Sequence, residues 1–545
     1  MIRKSHFIGG ALILAAAGLL SKVIGMFYRI PLQEIVGNNG LGLYQEVYPL
    51  YLTFLILATA GVPIALSRFI AEAIAESRED MIKQILAKSL FMMGLIGFVL
   101  FVLLYASSPL LAHLMGNKHL VEPIRALSFS LLFVPLIAVL RGFFYGQQKM
   151  LYVGISQVIE QILRVAMIMI VALYLVSLGE GTDEVITGVN YGTMVSSMLS
   201  LAVLVAFYFW HERKSPKTRF REWSKLSSLT DTAFYKKMWL VAWPICISAL
   251  VIPIFSLVDS FLAINIFRHI WHVDGFTADT WFGIYSRGGP LLQLASLFGA
   301  SIALSIVPAI TEAKHKGDLN KVSTLTKLSY RFAWLIGLPA GLGLTAVAEG
   351  ANLALYGDAE GTRAIAILGI SAISLSILLA TNGILQGLGR EKTPAKHLVW
   401  GIGVKIISTV ICTSFLGIDG LALSWLLSTF FVCYLNMRTI AQLVKVNISW
   451  KFDMLWPLVA ANVMLILAWA ATETVGHYLA LTKLAPRIVG AGEAAAGVFV
   501  GLLVYVSLLL TVPLLHRDEL DWLPGGKHLR QLMDLLRKNS INAKQ

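Results

Sequence analysis

Charge is what this chain has least of. Only 14% of its 545 residues are Asp, Glu, Lys or Arg and 57% are hydrophobic, whereas soluble domains carry about 25% charged residues. That deficit excludes a soluble enzyme, a disordered chain and a nucleic-acid-binding domain, even though the formal charge is +13. Cysteine is nearly missing too. Cys246, Cys412 and Cys433 lie inside apolar runs without paired spacing, which excludes a disulfide framework or a zinc site and leaves small buried apolar side chains. The apolar runs do not alternate in short segments, so a transmembrane β-barrel is excluded. There is no Walker motif, no Gly-rich phosphate loop and no His/Asp/Ser constellation. No enzyme chemistry, metal or cofactor is therefore expected, and transport would draw on membrane potential, sodium or protons.

What the chain does have is long apolar stretches. At about 20 apolar residues per crossing, punctuation by charge, Gly, Pro and Asn marks fourteen candidate spans, near residues 7–31, 46–70, 85–107, 123–144, 151–177, 186–210, 238–267, 283–310, 328–349, 363–387, 395–416, 419–441, 454–476 and 489–514. The first resembles a signal peptide but continues through Val23 to Phe27 without a cleavage context, so it reads as a transmembrane helix. With the N-terminus inside, 33 Lys and Arg fall on the inner side and 6 on the outer. Positive loops stay cytoplasmic, so both termini are expected in the cytoplasm, and anionic lipid headgroups account for the basic balance. Pro244 and Pro253 in helix seven, and Gly288, Gly289, Pro290 and Pro308 in helix eight, permit kinks.

The organisation expected is an N-lobe over 1–210, a basic cytoplasmic linker over 211–237, a C-lobe over 238–446, two extra helices over 447–514 and a cytoplasmic tail over 515–545. Within the tail, Leu529, Leu532, Met533, Leu535 and Leu536 make a short amphipathic stretch that either lies on the inner leaflet or is solvated. Shifting the second part on the first by about 240 residues places Ile70-Ala71-Glu72-Ala73 on Ile310-Thr311-Glu312-Ala313. With one more residue of offset, Gly142 and Gly146 fall on Gly383 and Gly387, and Arg164 falls on Lys405. An even number of helices separates the pairs, so the repeat is parallel, as in two lobes that rock about a central cavity.

Ionisable residues deep in a bilayer cost about 2.5–3.5 kcal/mol each on insertion scales and point to function. Here they are Lys22, Arg29, Glu160, Arg164, Asp259, Arg287 and Lys405, five cations against two acids. Gly18, Lys22, Gly25 and Arg29 share one helix face; Gln157, Glu160, Gln161 and Arg164 share another; Gly401, Lys405, Ser408, Thr409 and Cys412 make a third. Three such stripes imply a wet cavity. Arg29 and Lys405 have a snorkelling alternative, and Glu160 with Arg164, four residues apart, is as readily a structural ion pair as a substrate contact. Lys22 and Arg287 are the two whose depth asks for a function. A cavity with excess cation seeks an anion, and phosphate or pyrophosphate is the one Arg and Lys match. Glu160 and Asp259 are the candidates for an ion pair or a coupling site.

The stretches Leu140-Arg141-Gly142-Phe143-Phe144-Tyr145-Gly146-Gln147-Gln148 and Ser156-Gln157-Val158-Ile159-Glu160-Gln161-Ile162-Leu163-Arg164 resemble the polysaccharide-exporter branch of the MOP superfamily. Ser21 to Arg29, Gly37 to Tyr44 and Leu385-Gln386-Gly387-Leu388-Gly389-Arg390 resemble it as well. The nearest likeness is to the stage V sporulation protein B group and MurJ-type lipid II flippases. That resemblance implies an all-α, MATE-like polytopic membrane protein of the bacterial plasma membrane, with two six-helix lobes, a cationic cavity and two further helices that groove the lipid tail. It implies transfer of an undecaprenyl-pyrophosphate-linked sugar from the inner to the outer leaflet, in cell-wall or sporulation glycan assembly, with membrane lipids and cell-wall synthesis proteins as partners. Lys22 stands where that group often has Arg, and Arg287 matches its arginine early in helix eight; an arginine that lipid II flippases use in helix two has no match. The substrate-binding residues expected are thus Lys22, Arg29, Arg164, Arg287 and Lys405. A multidrug or metabolite cation antiporter on the same fold, and a non-transporting scaffold for wall synthesis, are the alternatives.

Overall fold

Gly and Pro break the apolar runs, and the breaks set the architecture. The computed structural model describes residues 2–59, 61–76, 78–214, 232–446, 449–482 and 484–511, with no strand among them. Most of the expected basic linker, the expected tail and its amphipathic stretch lie outside the described residues. The helices are α1 (Ile2–Phe27), α2 (Arg29–Thr59), α3 (Val62–Ala75), α4 (Glu79–Leu114), α5 (Val121–Ser128), α6 (Val134–Gly146), α7 (Met150–Ser177), α8 (Thr182–Lys214), α9 (Thr232–Ala249) and α10 (Val251–His269). They continue as α11 (Gly275–Ser286), α12 (Gly288–His315), α13 (Leu319–Ala346), α14 (Ala348–Tyr356), α15 (Thr362–Gly387), α16 (Lys392–Leu416), α17 (Ile418–Leu443), α18 (Trp456–Ala480) and α19 (Pro486–Thr511).

Among the described residues eleven helices are long and apolar enough to cross a membrane, or twelve when α13 and α14, bent by 64° at Val347, count as one span. Fourteen were expected. One of the eleven is the 60-residue stretch Ala16–Ala75, which at 1.5 Å per residue is about 90 Å of helix, far more than one bilayer takes. It is broken at Tyr28, at Gly37 (φ 70°) and at Gly61 (φ 82°), and both glycines hold left-handed backbone that other residues resist. Helices seven and eight, where kinks are permitted, are interrupted as well: α9 ends before Leu250 and α11 before Arg287, while Pro308 lies inside α12. The outward faces are strongly apolar, with Trp400, Phe415 and Phe499 each about two-thirds exposed or more. Such surface belongs in lipid, and the protein is an all-α polytopic membrane protein.

By packing, the chain forms two compact units, Met1–Gly283 and Ile284–Gln545. The first therefore contains α9 and α10, and α2 explains why. A Cβ at Gly42 would land on the carbonyl oxygen of Asp279, and one at Gly283 on that of Asn38, so α2 and α11 meet backbone to backbone, as small residues allow between membrane helices.

The internal repeat survives in three dimensions. In the first unit Gly146 closes on α3, where an added Cβ would sit 2.6 Å from the Ile70 Cβ and 3.0 Å from the Ser67 carbonyl. In the second, Gly387 closes on α12, 2.9 Å from the Ile310 Cβ and 3.1 Å from the Val307 carbonyl. Around these contacts Leu66, Ile70, Ala73, Phe143 and Phe144 form one buried core, and Ile306, Ile310, Ala313, Ile384 and Leu385 form its counterpart. The same helix pair is built twice, by the same small-on-branched contact.

Candidate functional site

The first two polar stripes meet inside the first unit. A Cβ on Gly25 of α1 would lie 2.8 Å from Gln161 Nε2 of α7, so the small face of α1 is what lets the polar face of α7 approach. Lys22, one turn earlier, is exposed. Arg29 is buried at the start of α2, its guanidinium 5.5 Å from the centre of the Tyr48 ring.

On α2, Tyr44, Tyr48 and Tyr51 recur at i, i+4 and i+7 and so share a face. Tyr44 stacks on Tyr48 at 5.7 Å, Tyr48 meets Tyr51 at 6.3 Å, and the Tyr44 hydroxyl lies 2.8 Å from that of Tyr28. Arg29 lies within electrostatic range of Tyr44 and Tyr48, and Arg164 of α7 within that of Tyr44, Tyr48 and Tyr51. The aromatic ladder thus runs between two arginines.

Glu160 holds one of them and recruits a third. Its carboxylate accepts from Arg164 Nη2 at 2.7 Å and from Arg141 Nη2 at 2.6 Å, and all three side chains are 12–16% exposed. Arg141 is further fixed by donation to Ser156 Oγ at 3.1 Å. Two guanidinium groups therefore share one carboxylate, while Arg29 is placed against Tyr48. The Nε atoms of Arg29 and Arg164 are buried and have no hydrogen-bond partner among the described residues. A site with surplus charge and unspent donors can accept a multivalent anion; Tyr44 and Tyr51 are buried in the core, so Tyr48 is the rung of the ladder with exposed surface.

The other expected residues are held elsewhere. Arg287, fully buried between α11 and α12, donates from Nη1 and Nη2 to the two oxygens of Asp358 at 2.6 and 2.9 Å, and lies 5.0 Å from the centre of the Tyr356 ring. Burial works to raise the Asp358 carboxyl, but hydrogen bonds from Arg287 and the Glu360 amide outweigh it and hold it below the usual range. Both forks of the guanidinium are occupied, so Arg287 takes a phosphate only by exchanging Asp358. Lys405 is fully buried against α17, donating to Ser424 Oγ at 2.6 Å with the Trp425 ring 5.3 Å away. The third stripe therefore packs on its neighbour. Asp259 is buried on α10.

Sequence reasoning missed Arg141, assigned to a cytoplasmic loop, and missed Asp358 and the tyrosine ladder. The ladder had a signal in its helical spacing. Arg141 had none, because the contact with Glu160 spans 19 residues and a turn.

Comparison with known proteins bears on the family and the fold. The family model described as polysaccharide biosynthesis protein matches residues 7–314. The chain is 29% identical to an uncharacterized membrane protein of Bacillus subtilis, YabM, over 97% of both chains. It is 26% identical to the lipid II flippase MurJ of B. subtilis over 77% of this chain and 80% of that one, and 24% identical to its stage V sporulation protein B over 96% and 98%. Among solved structures, lipid II flippase MurJ in an inward closed conformation superposes with a TM-score of 0.65 at 15% identity, covering 91% of this chain and 98% of MurJ. An inward-facing multidrug resistance MATE transporter of the MOP superfamily gives 0.61 at 15% identity, covering 79% and 98%. At such identity the likeness is one of fold, which this chain has in common with both structures. With more than half of its length matched by the family model, the chain belongs to the polysaccharide biosynthesis protein family.

Proposed function

We propose that this protein is a flippase for a polyprenyl-pyrophosphate-linked oligosaccharide of the lipid II type, moved by alternating access from the inner to the outer leaflet of a bacterial plasma membrane, with both termini cytoplasmic. The observation that carries the reading is that Arg141 and Arg164 share the single carboxylate of Glu160, with a third arginine, Arg29, buried against Tyr48 of the same ladder. The surplus positive charge would hold the pyrophosphate, Tyr48 would face the sugar, and exposed Lys22 would meet the incoming headgroup. The relatives named as flippases support the substrate class. A cation pump needs a carboxylate open to its cargo, and Glu160 is already committed to two arginines, so the antiporter reading gains nothing from this site.

The test is complementation of cells depleted of their own lipid II flippase, at matched membrane abundance, with the wild type, Lys22→Ala, Arg29→Gln and Arg164→Gln. Rescue by the wild type and loss in the arginine variants would support the reading. Failure of a well-inserted wild type would move the cargo to another lipid-linked glycan, and rescue by all variants would remove the site.

A further inference from the structure

A second polar cluster in the first unit plays no part in that reading. Glu46 of α2 is fully buried, and Asp279 of α11 and Asn117, in the turn after α4, are almost so. Asn117 Nδ2 donates to Asp279 Oδ1 at 3.0 Å and to Glu46 Oε2 at 3.4 Å, and the two carboxyls hydrogen-bond each other. No amide or hydroxyl among the described residues donates to the remaining Glu46 oxygen, Oε1, which is buried.

The repeat shows what is unusual here. In the second unit the left-handed Gly357 precedes Asp358, whose Oδ1 accepts from the Glu360 amide, and Arg287 neutralises it. In the first, the left-handed Gly116 precedes Asn117, whose Oδ1 accepts from the His119 amide. The offset of about 240 residues that maps Gly146 onto Gly387 also maps Gly116 and Asn117 onto Gly357 and Asp358, and Glu46 onto Arg287. Where one half has a guanidinium on a carboxylate, the other has an acid on an amide, with a second acid added.

Two carboxylates cannot lie in hydrogen-bond contact unless an O–H stands between them, since like charges at that range exclude double ionisation. The groups around the pair do not supply the missing charge. His119 is paired with Asp183 of α8, Lys118 is exposed, Asp274 caps Thr277, and Arg268 of α10 donates to the Gly116 carbonyl at 2.5 Å.

We propose that Glu46 and Asp279 form a proton-binding site, one shared proton latching α2 to α11. The pair sits beside the Gly42–Gly283 backbone contact and the bond from Asn39 Nδ2 to the Phe276 carbonyl at 3.1 Å. Loss of the proton sets two anions against each other across that seam. Burial pushes the Asp279 carboxyl up to about 6, against the lowering effect of its hydrogen bond with Glu46, so the pair changes protonation in the physiological range. The inference stands whatever the cargo.

Two readouts test it on the full-length purified protein. Infrared difference spectra between pH 5 and pH 8.5 should show the carbonyl band of a buried carboxylic acid, absent from the double variant Glu46→Gln/Asp279→Asn. Maleimide labelling of a cysteine introduced by Asn39→Cys, normalised to one introduced by Lys118→Cys, should rise several-fold from pH 5.5 to 8.5 in the wild-type background and stay flat in the double variant. No such band, or the same pH response in the double variant, overturns the proposal. A midpoint that moves when sodium replaces choline would make this a sodium site and overturn it equally. Should the double variant not purify as a monodisperse species, the wild type decides alone, since a missing band or pH-independent labelling suffices.

Discussion

Replacing Glu160 by Gln tests the charge arithmetic of the candidate site. The amide keeps one acceptor oxygen for one arginine but turns an NH2 donor toward the other, so one of two short charge-assisted bonds is lost. Arg141 and Arg164 then repel each other without a shared anion. At a separation of about 6 Å and an effective dielectric of about 20, two unit charges repel by about 3 kcal/mol. Measured costs of breaking one side of a buried ion pair are about 3–5 kcal/mol, so a loss of about 3 kcal/mol is expected. The triple variant Arg141→Gln/Glu160→Gln/Arg164→Gln removes the repulsion with the anion and should regain about 2 kcal/mol or more over Glu160→Gln alone. The assay is equilibrium unfolding in mixed micelles of dodecylmaltoside and sodium dodecyl sulfate, with the three single variants completing the cycle. If Glu160→Gln lies within about 0.5 kcal/mol of the wild type, or the triple variant is no more stable than it, the carboxylate does not balance those arginines.

Further outcomes follow from the packing and the ionisable groups. Gly146→Ala and Gly387→Ala should each cost about 1–3 kcal/mol by overpacking against Ile70 and Ile310, and in the same micelle assay the two losses should be alike, because the contact is the same one in two copies. The Asp279 carboxyl is raised from 3.8 to about 6 in the folded protein, so the folded state holds the extra proton. Stability should then be greatest near pH 4 and fall by about 3 kcal/mol as pH rises to about 6, a slope that Asp279→Asn should abolish. The Asp358 carboxyl moves the other way, so its contribution is present at neutral pH and is lost only as pH falls below its unfolded value of 3.8. Arg287→Ala should lower the yield of folded protein, and so should Asp358→Asn, which leaves the buried guanidinium with neutral acceptors such as the Glu360 carbonyl.

Local features of the fold were legible in the sequence because helices write them at short range. Of the stripe Gly18, Lys22, Gly25 and Arg29, Gly25 does lie on Gln161 of α7, whereas Lys22 is exposed and the break at Tyr28 puts Arg29 on α2. Glu160 and Arg164, four residues apart, do pair. Ile70 and Ile310, matched by sequence offset, occupy equivalent cores. What the sequence hid is what chain reversal brings together. Arg287 reaches Asp358 across 71 residues, and Asn117 reaches Asp279 across 162; neither partner lies in an apolar run, where a charge would stand out. Loop acids look solvated in a sequence, and here two of them set the state of buried groups.

That blind spot bears on how charge should be read in such a repeat. Counting buried cations treats each as a free donor for substrate, yet Arg287 spends its fork on Asp358 and Arg164 spends one nitrogen on Glu160. The useful quantity is charge left after pairing. On that basis the surplus sits with Arg29, Arg141 and Arg164 beside the tyrosines, while the turn after α4 and its counterpart after α14 carry opposite solutions to one geometry. One half fixes its turn with an ion pair that holds at any pH above that of a depressed carboxylate. The other fixes it with an amide and two acids, an arrangement that is complete only while a proton is present. A duplicated fold whose copies were interchangeable would have no reason to differ at that position, and the difference makes the first copy the responsive one.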